Sequence, residues 1–370
     1  MLIERVELRR VQIPFRRAFG HAAHERHKSD AVLVSIGDEQ GQVGWGEILP
    51  RPYVTGETLE EVLDVAAPAL AHELVGRRFE TPDGAVAWLR QAASGIGRKL
   101  ATLCGFDLAL LDVAGRRFGC SVADFLGGVV RDALPPGVIV GFEIPTEKVA
   151  RYCATLRLSG RRHIKVKVGR DDDHERLRLV ASVFKGVPLR LDANAAWSAE
   201  ETIERLRSWS DVAIASIEQP VPANDFAGLR EIRRATEVAV MADESVCTLD
   251  DAERLVSEGA ADIFNVRLGK NGGLLASRQV VELARRSGIE LHLGTMVGET
   301  GVLSRASEVF GRCVQGFACL DGKGQNAFLL ERDILEEEAR DGGHEPPGLG
   351  VRVSESIVRE HQVGETRVFS

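Results

Sequence analysis

Three short apolar runs each close on an acid: Leu191-Asp192, Ser216-Ile217-Glu218 and Val240-Met241-Ala242-Asp243. They lie roughly 25 residues apart, with Lys165-Val166-Lys167 one step upstream. That interval suits one strand plus one helix, so a chain that repeats it builds parallel strands joined by crossover helices. In a closed barrel of such units the strand ends converge on one mouth, where enzymes of this architecture keep their chemistry. All-oxygen ligation suits a hard cation, so Asp192, Glu218 and Asp243 read as ligands for Mg²⁺, with Mn²⁺ as a substitute. Any one of these acids could instead cap the helix that follows it, but three at matching positions are hard to explain that way.

The rest of the chain supports the same architecture. Strands are expected near Val138–Phe142, His163–Val168, Leu189–Asp192, Ala213–Glu218, Ala239–Asp243, Ile263–Arg267, Glu290–Leu293 and Val314–Leu320, alternating with amphipathic helices. Eight strands in this order make a closed α/β barrel the economical solution. Before them, a strand to about Ile13, a polar turn-rich segment Phe19–Asp30, a strand Ala31–Ile36 and a hairpin into Val43-Gly44-Trp45-Gly46-Glu47 suggest an α+β capping domain. Helical spacing recurs over Thr58–Leu74 and Gly84–Ala93, and Leu100–Phe118 reads as an apolar helix buried between two domains. The expected division is a capping domain at 1–132, a barrel at 133–321 and a C-terminal segment at 322–370 that returns to the cap. Asp333–Gly350, with its acidic run, Gly342-Gly343 and Pro346-Pro347, reads as a solvated connection.

A net charge of -8 argues against a surface built to neutralise phosphates, so nucleic acid is not an expected partner. No run approaches the length of a membrane span, and the amino terminus alternates apolar with charged residues as a strand does. The six cysteines show no CxxC spacing, which fits neither a zinc site nor a disulfide framework and suits a reducing cytoplasm. The expected partners are a small carboxylate substrate and further copies of the chain in a homo-oligomer.

Residues two apart on a strand share a face, so Lys165 and Lys167 both point into the barrel, roughly 6.6 Å apart along the strand. Mutual repulsion and a bound cation would both push these ammonium groups toward the neutral form a general base needs. Lys167, nearer the strand end, is the candidate base and Lys165 its electrostatic tuner. Glu244 follows Asp243 on the opposite strand face, which suits a supporting role around the metal, as does Asn194.

These residues carry a resemblance. KxK, Leu-Asp-Ala-Asn (Asp192, Asn194), Ile-Glu-Gln-Pro (Glu218) and Ala-Asp-Glu-Ser (Asp243) resemble the enolase superfamily, muconate-lactonizing-enzyme subgroup. The likeness extends through Asp262-Ile263-Phe264-Asn265, Lys270-Asn271-Gly272-Gly273 and Gly348-Leu349-Gly350-Val351. It implies a modified (β/α)₇β barrel with a capping domain built from both termini, and Mg²⁺-dependent removal of the proton α to a carboxylate through an enediolate. Mg²⁺ on the substrate carboxylate offsets the charge that proton loss creates, and a lysine accepts the proton.

One position departs from the pattern. Where relatives carry a second lysine after the sixth strand, this chain has Asn265-Val266-Arg267. A guanidinium cannot be deprotonated in a protein, so Arg267 cannot serve as an opposite-face base, although it can bind an anion or stabilise an enolate. Lys270 could replace it only if Gly269 breaks the strand, since it would otherwise face away. One-base chemistry therefore gains weight: a cycloisomerase of the muconate type first, then a syn-elimination lyase resembling o-succinylbenzoate synthase. Racemase and dipeptide epimerase readings lose weight. A barrel that binds metal and ligand without catalysis is the alternative of another class. Glu299, in Gly294-Thr295-Met296-Val297-Gly298-Glu299, is either an active-site acid or a cap on the helix starting near Gly301. The loops around His21 and His24 and around Arg51 and Tyr53 match those that cover the pocket in relatives, so these four residues are the specificity candidates. Arg16 is a further candidate for pairing a second carboxylate.

Overall fold

The computed structural model describes residues 1–21, 24–336 and 345–370. Residues 337–344 of the expected Asp333–Gly350 connection lie outside them. Eight parallel strands close into a barrel in the order β10-β11-β4-β5-β6-β7-β8-β9. These are β4 (Pro136–Val140), β5 (Ile164–Lys167), β6 (Leu189–Asp192), β7 (Ile214–Glu218), β8 (Ala239–Ala242), β9 (Ile263–Val266), β10 (Glu290–Leu293) and β11 (Phe317–Asp321). Helices follow each of the first seven, which gives the (β/α)₇β form. The register sets Lys167 beside Asp192 and Asp192 beside Glu218 on adjacent strands, so three of the sequence-marked residues reach the same level of one mouth.

The cap is an antiparallel sheet in the order β12-β1-β2-β3, comprising β1 (Ile3–His21), β2 (His24–Asp38), β3 (Val43–Ile48) and β12 (Arg367–Phe369). β12 pairs with β1, so chain from both ends builds this sheet. The polar segment Phe19–Asp30, expected as turn-rich, is instead the far end of a long hairpin. Pairing resumes at Phe19↔Arg26 and runs to His21↔His24. Polar side chains do not forbid a strand once a partner strand satisfies the backbone groups.

Glycine spacing explains how the cap seats on the barrel. A Cβ at Gly46 would lie 1.9 Å from the Gly105 carbonyl oxygen, and one at Gly44 would lie 2.3 Å from backbone atoms of Ala109 and Val113. Only the missing side chains let β3 lie directly on the Leu100–Phe118 helix, which is buried through Gly115. That contact carries two cap carboxylates onto barrel helices. Glu47, next along β3, accepts from the Thr300 and Leu303 backbone N–H groups at the start of the Gly301–Cys313 helix, at 2.8 and 3.2 Å. Asp107 accepts from Leu274 at 2.7 Å, at the start of the Gly273–Arg286 helix. Each satisfies amide donors that a helix start leaves without partners. Asp112 adds a third link, accepting from Trp45 at 2.9 Å and from Leu349 at 2.8 Å, which ties the late Gly348-Leu349-Gly350 segment to the cap.

These links are sensitive to pH. Burial pushes both Glu47 and Asp107 up to about 7 against the pull of their amide donors. The folded state therefore holds their protons more tightly than the unfolded chain, and stability from each group falls as pH rises from its unfolded value toward 7. The amount is on the order of 3 kcal/mol per group. Glu47→Gln removes the titration but keeps a polar cap, so its stability deficit against the parent should shrink between pH 5 and 7.5 in thermal melts. A deficit constant across that range would contradict the assignment.

Candidate active site

At the barrel mouth, acids and cations interleave. Lys165 Nζ lies 3.1 and 3.2 Å from the two Glu218 oxygens, 3.4 Å from Asp192 and 3.5 Å from Asp321. Lys167 Nζ donates to Asp192 at 2.7 Å and to the Asn194 side-chain oxygen. Asn265 donates to Glu218 Oε1 at 2.8 Å. Across the mouth, Arg267 Nε donates to Asp243 at 2.9 Å. One of its terminal nitrogens contacts the other Asp243 oxygen and reaches Glu244 at 3.2 Å. Lys165, Lys167, Asp192, Glu218 and Asp243 are all buried.

The electrostatics differ in one respect from expectation. Burial works to strip the Lys165 proton, but Glu218, Asp192 and Asp321 together outweigh it and hold the ammonium above its ordinary range. For Lys165 the neighbouring carboxylates, rather than repulsion between the two ammonium groups, set the direction of the shift. Asp192 shows the reciprocal effect: burial favours its neutral form, yet Lys167 and Lys165 overcome that and hold it below the usual carboxylate range.

Glu244 corrects a second expectation. β8 ends at Ala242, so strand alternation no longer governs Asp243 and Glu244, and both turn toward the mouth. Burial, then the Asp192 and Glu218 charges, push Glu244 up to about 7. Lys270 sits on a helical turn, Leu268–Asn271, rather than an extended strand. Its Nζ donates to the Val246 carbonyl at 2.5 Å and lies 3.7 Å from Asp243. The strand thus breaks before Gly269, and Lys270 braces the loop behind Asp243.

Glu299 has turned inward as a structural brace. It accepts from the Met296 backbone at 2.8 Å and from Ser304 Oγ at 2.8 Å, and burial pushes it up to about 8. Arg51 is likewise committed. Its guanidinium donates to the Pro50 and Val297 carbonyls at 2.8 Å, joining the cap loop to the loop after β10. Arg16 donates to the Leu330 and Glu331 carbonyls at 2.8 and 2.9 Å. Both arginines expected to meet a second carboxylate thus serve backbone acceptors. Tyr53 is 40% exposed, with the Arg26 guanidinium 5.9 Å over its ring. The side chains of His21 and His24 lie outside the described ones.

Sequence reasoning missed Asp321 and Arg190. Asp321 closes the last barrel strand on an acid, the same signal that marked the other three, but the expected strand stopped one residue short of it. Arg190 lies in Leu189-Arg190-Leu191-Asp192, two residues before Asp192 and so on the same inward face. Gln219, inside the noticed Ile-Glu-Gln-Pro motif, also has a function: its Oε1 accepts from the backbone of Asp243 and Ser245 at 2.9 and 3.0 Å. This pins the loop that presents Asp243.

The donor chemistry suits a hard divalent ion. Asp192, Glu218 and Asp243 are buried oxygen donors at successive strand ends, and Glu244 Oε2 and Asn265 Oδ1 beside them are buried without a hydrogen-bond partner. Among the described residues no three His, Cys, Asp or Glu side chains stand close enough together to hold a metal. Each of the three acids is instead drawn onto Lys165, Lys167 or Arg267. An ion could take Asp243 only if Arg267 shifts its fork.

Comparison with known proteins identifies the architecture. A family model described as "Enolase C-terminal domain-like" matches residues 148–357, and one described as "Mandelate racemase / muconate lactonizing enzyme, N-terminal domain" matches residues 4–127. An o-succinylbenzoate synthase from Bacillus subtilis (strain 168) is 28% identical over 97% of this chain and 96% of its own length. Two solved structures are also similar. A dipeptide epimerase from Cytophaga hutchinsonii, complexed with Mg and the dipeptide D-Ala-L-Val, has a TM-score of 0.85 at 26% identity over all of both chains. Muconate lactonizing enzyme from Pseudomonas fluorescens, complexed with muconolactone, has a TM-score of 0.88 at 27% identity over 98% of this chain and 99% of that one. The chain is therefore an enzyme of the enolase superfamily and belongs to its mandelate racemase/muconate lactonizing enzyme family.

Proposed function

We propose that this enzyme removes the proton α to the carboxylate of a small substrate with one base, Lys167, and works as an isomerase of the cycloisomerase kind. The observation that carries the one-base reading is Arg267, which stands across the mouth from Lys167 and holds Asp243 and Glu244. A permanent cation there cannot take or return a proton, so stereochemical inversion through the second face has no agent. Asp192, Glu218 and Asp243 are the residues that would hold Mg²⁺, or Mn²⁺ in its place. When bound, the ion would offset the negative charge that gathers on the substrate carboxylate as its α-proton leaves.

The chain's own residues supply the remainder. Lys167 must reach the substrate in its neutral form; it takes the α-proton on one face, and the electron pair left behind expels a carboxylate oxygen from the β-carbon as the ring opens, the reverse direction forming that C–O bond and returning the proton from Lys167 to the same face. Lys165 and Arg267 are fixed positive charges beside the enediolate, and such preorganised charge is worth most in a buried site. Asn194, bonded to Lys167, limits where that amine can swing. A lyase forms the second reading, favoured by the near full-length similarity to an o-succinylbenzoate synthase. There the same half-reaction would end with Lys167 giving its proton to a departing group on the same side. A cytoplasmic location and a homo-oligomeric assembly belong to the proposal as well; the six free cysteines are compatible with a reducing compartment.

A panel of carboxylates incubated with enzyme and Mg²⁺ in deuterated water tests the first step, read by NMR. At least one should exchange its α-hydrogen, and chelation should stop the exchange. Isomers or a lactone would indicate cycloisomerisation, and an unsaturated product with loss of a leaving group would indicate elimination. Lys167→Ala should lower exchange by about 10²- to 10⁴-fold; undiminished turnover would remove Lys167 as the base.

Arg267→Lys provides the complementary test. A lysine at this position can lose a proton, so the variant should gain exchange or racemisation from the second face, detectable by chiral analysis. Racemisation already present at full rate in the parent enzyme would overturn the one-base reading.

A further inference from the structure

Beneath the proposed base and ligands lies an ion pair that no step above uses. Arg190 on β6 and Asp321 at the end of β11 meet inside the barrel through two parallel bonds, at 2.8 and 2.7 Å. Such a fork fixes both distance and orientation. The His292 Nδ1 atom lies 3.1 Å from the same guanidinium. Arginine can only donate, so Nδ1 is the acceptor and the imidazole is neutral, in keeping with a pKa that burial and Arg190 push down to about 4. Asp321 thus has a rigid partner on one side and Lys165, at 3.5 Å, on the other.

The backbone makes room for this arrangement. Gly137 of β4 is paired with Asp321, and a Cβ at 137 would stand 1.9 Å from Asp321 Oδ1. The Asp321 carboxylate occupies the place of the missing side chain. A barrel interior is normally filled by packed apolar layers, so a buried acid with a reserved space is an unusual use of it.

Lys165 contacts three carboxylates, and two of them, Asp192 and Glu218, are also the candidate metal ligands. Once an ion draws on those two, their hold on Lys165 weakens. Asp321 is the contact that stays, because both its oxygens are already fixed by Arg190 and it is not one of the three proposed ligands. We propose that the Arg190–Asp321 pair is a positioning device that keeps the Lys165 ammonium aimed into the site when the metal is bound. This rests on the proposed metal and base assignments above. Arg190 and Asp321 act through Lys165 and are positioning residues.

Three variants test the device: Asp321→Asn, which removes the charge; Gly137→Ala, which displaces the carboxylate without changing any charge; and the double variant Arg190→Met/Asp321→Leu, which removes the pair without leaving a buried charge alone. Crystals of each, grown with Mg²⁺, should show Lys165 Nζ displaced from its place in the Mg²⁺-loaded parent. Mg²⁺ affinity by calorimetry should stay within about threefold, and on a carboxylate found by the exchange screen kcat should fall by ~10- to 100-fold with little change in KM. Lys165 unmoved in all three variants would overturn the proposal. So would a loss confined to Mg²⁺ affinity or KM, since that would make Asp321 a ligand-binding residue. If the parent exchanges no carboxylate, the functional reading fails, while the Lys165 position in the Mg²⁺ crystals still decides this inference.

Discussion

The requirement that governs this molecule is charge balance inside a closed barrel. Asp192, Glu218, Asp243, Glu244 and Asp321 are answered by Lys165, Lys167, Arg190, Arg267 and Lys270, nearly all of them out of contact with water. An isolated buried charge is costly, so burying this many charged groups together depends on opposite charges standing beside one another. The shifts follow the same rule: Lys165 is held charged among acids, whereas Glu244, whose nearest influences include other carboxylates, is pushed toward its neutral form.

The cap and barrel are joined by a different use of carboxylates. Glu47 and Asp107 reach from the cap onto the starts of two barrel helices, and the glycines of β3 allow the approach that brings Glu47 within range. Ser29 adds a bond of 2.5 Å to the Gly298 carbonyl, and Arg51 bonds to Val297, so the cap is fastened to the loop after β10 at several points. That loop follows the barrel strand lying beside the one that carries Arg267. The cap is therefore bonded to the loop beside the strand that leads to Arg267.

Legibility in the sequence varied with the range of the interaction. The strand-helix repeat, the ends of β6 and β10 and the long Leu100–Phe118 helix were readable because periodicity and apolar runs are local signals. The hairpin beyond Pro14 was not, because the pairing of Phe19 with Arg26 leaves little hydrophobic trace. Glu299 had two chemically reasonable destinations, and only the placement of Met296 and Ser304 made it a brace. Arg51 and Arg16 looked available as anion binders, but backbone carbonyls from distant segments had already engaged them.

The sequence by itself determined the barrel, the acids at successive strand ends, the KxK pair and the replacement of a lysine by Arg267, since each is written in residue type and spacing. Tertiary structure alone decided which charges touch. It set the Arg190–Asp321 pair into the space left by Gly137, turned Glu244 toward the mouth and put Lys270 behind Asp243. The reason is physical: ion pairs across a barrel join strands far apart in the chain, and their partners are chosen by closure and register, which no local pattern encodes.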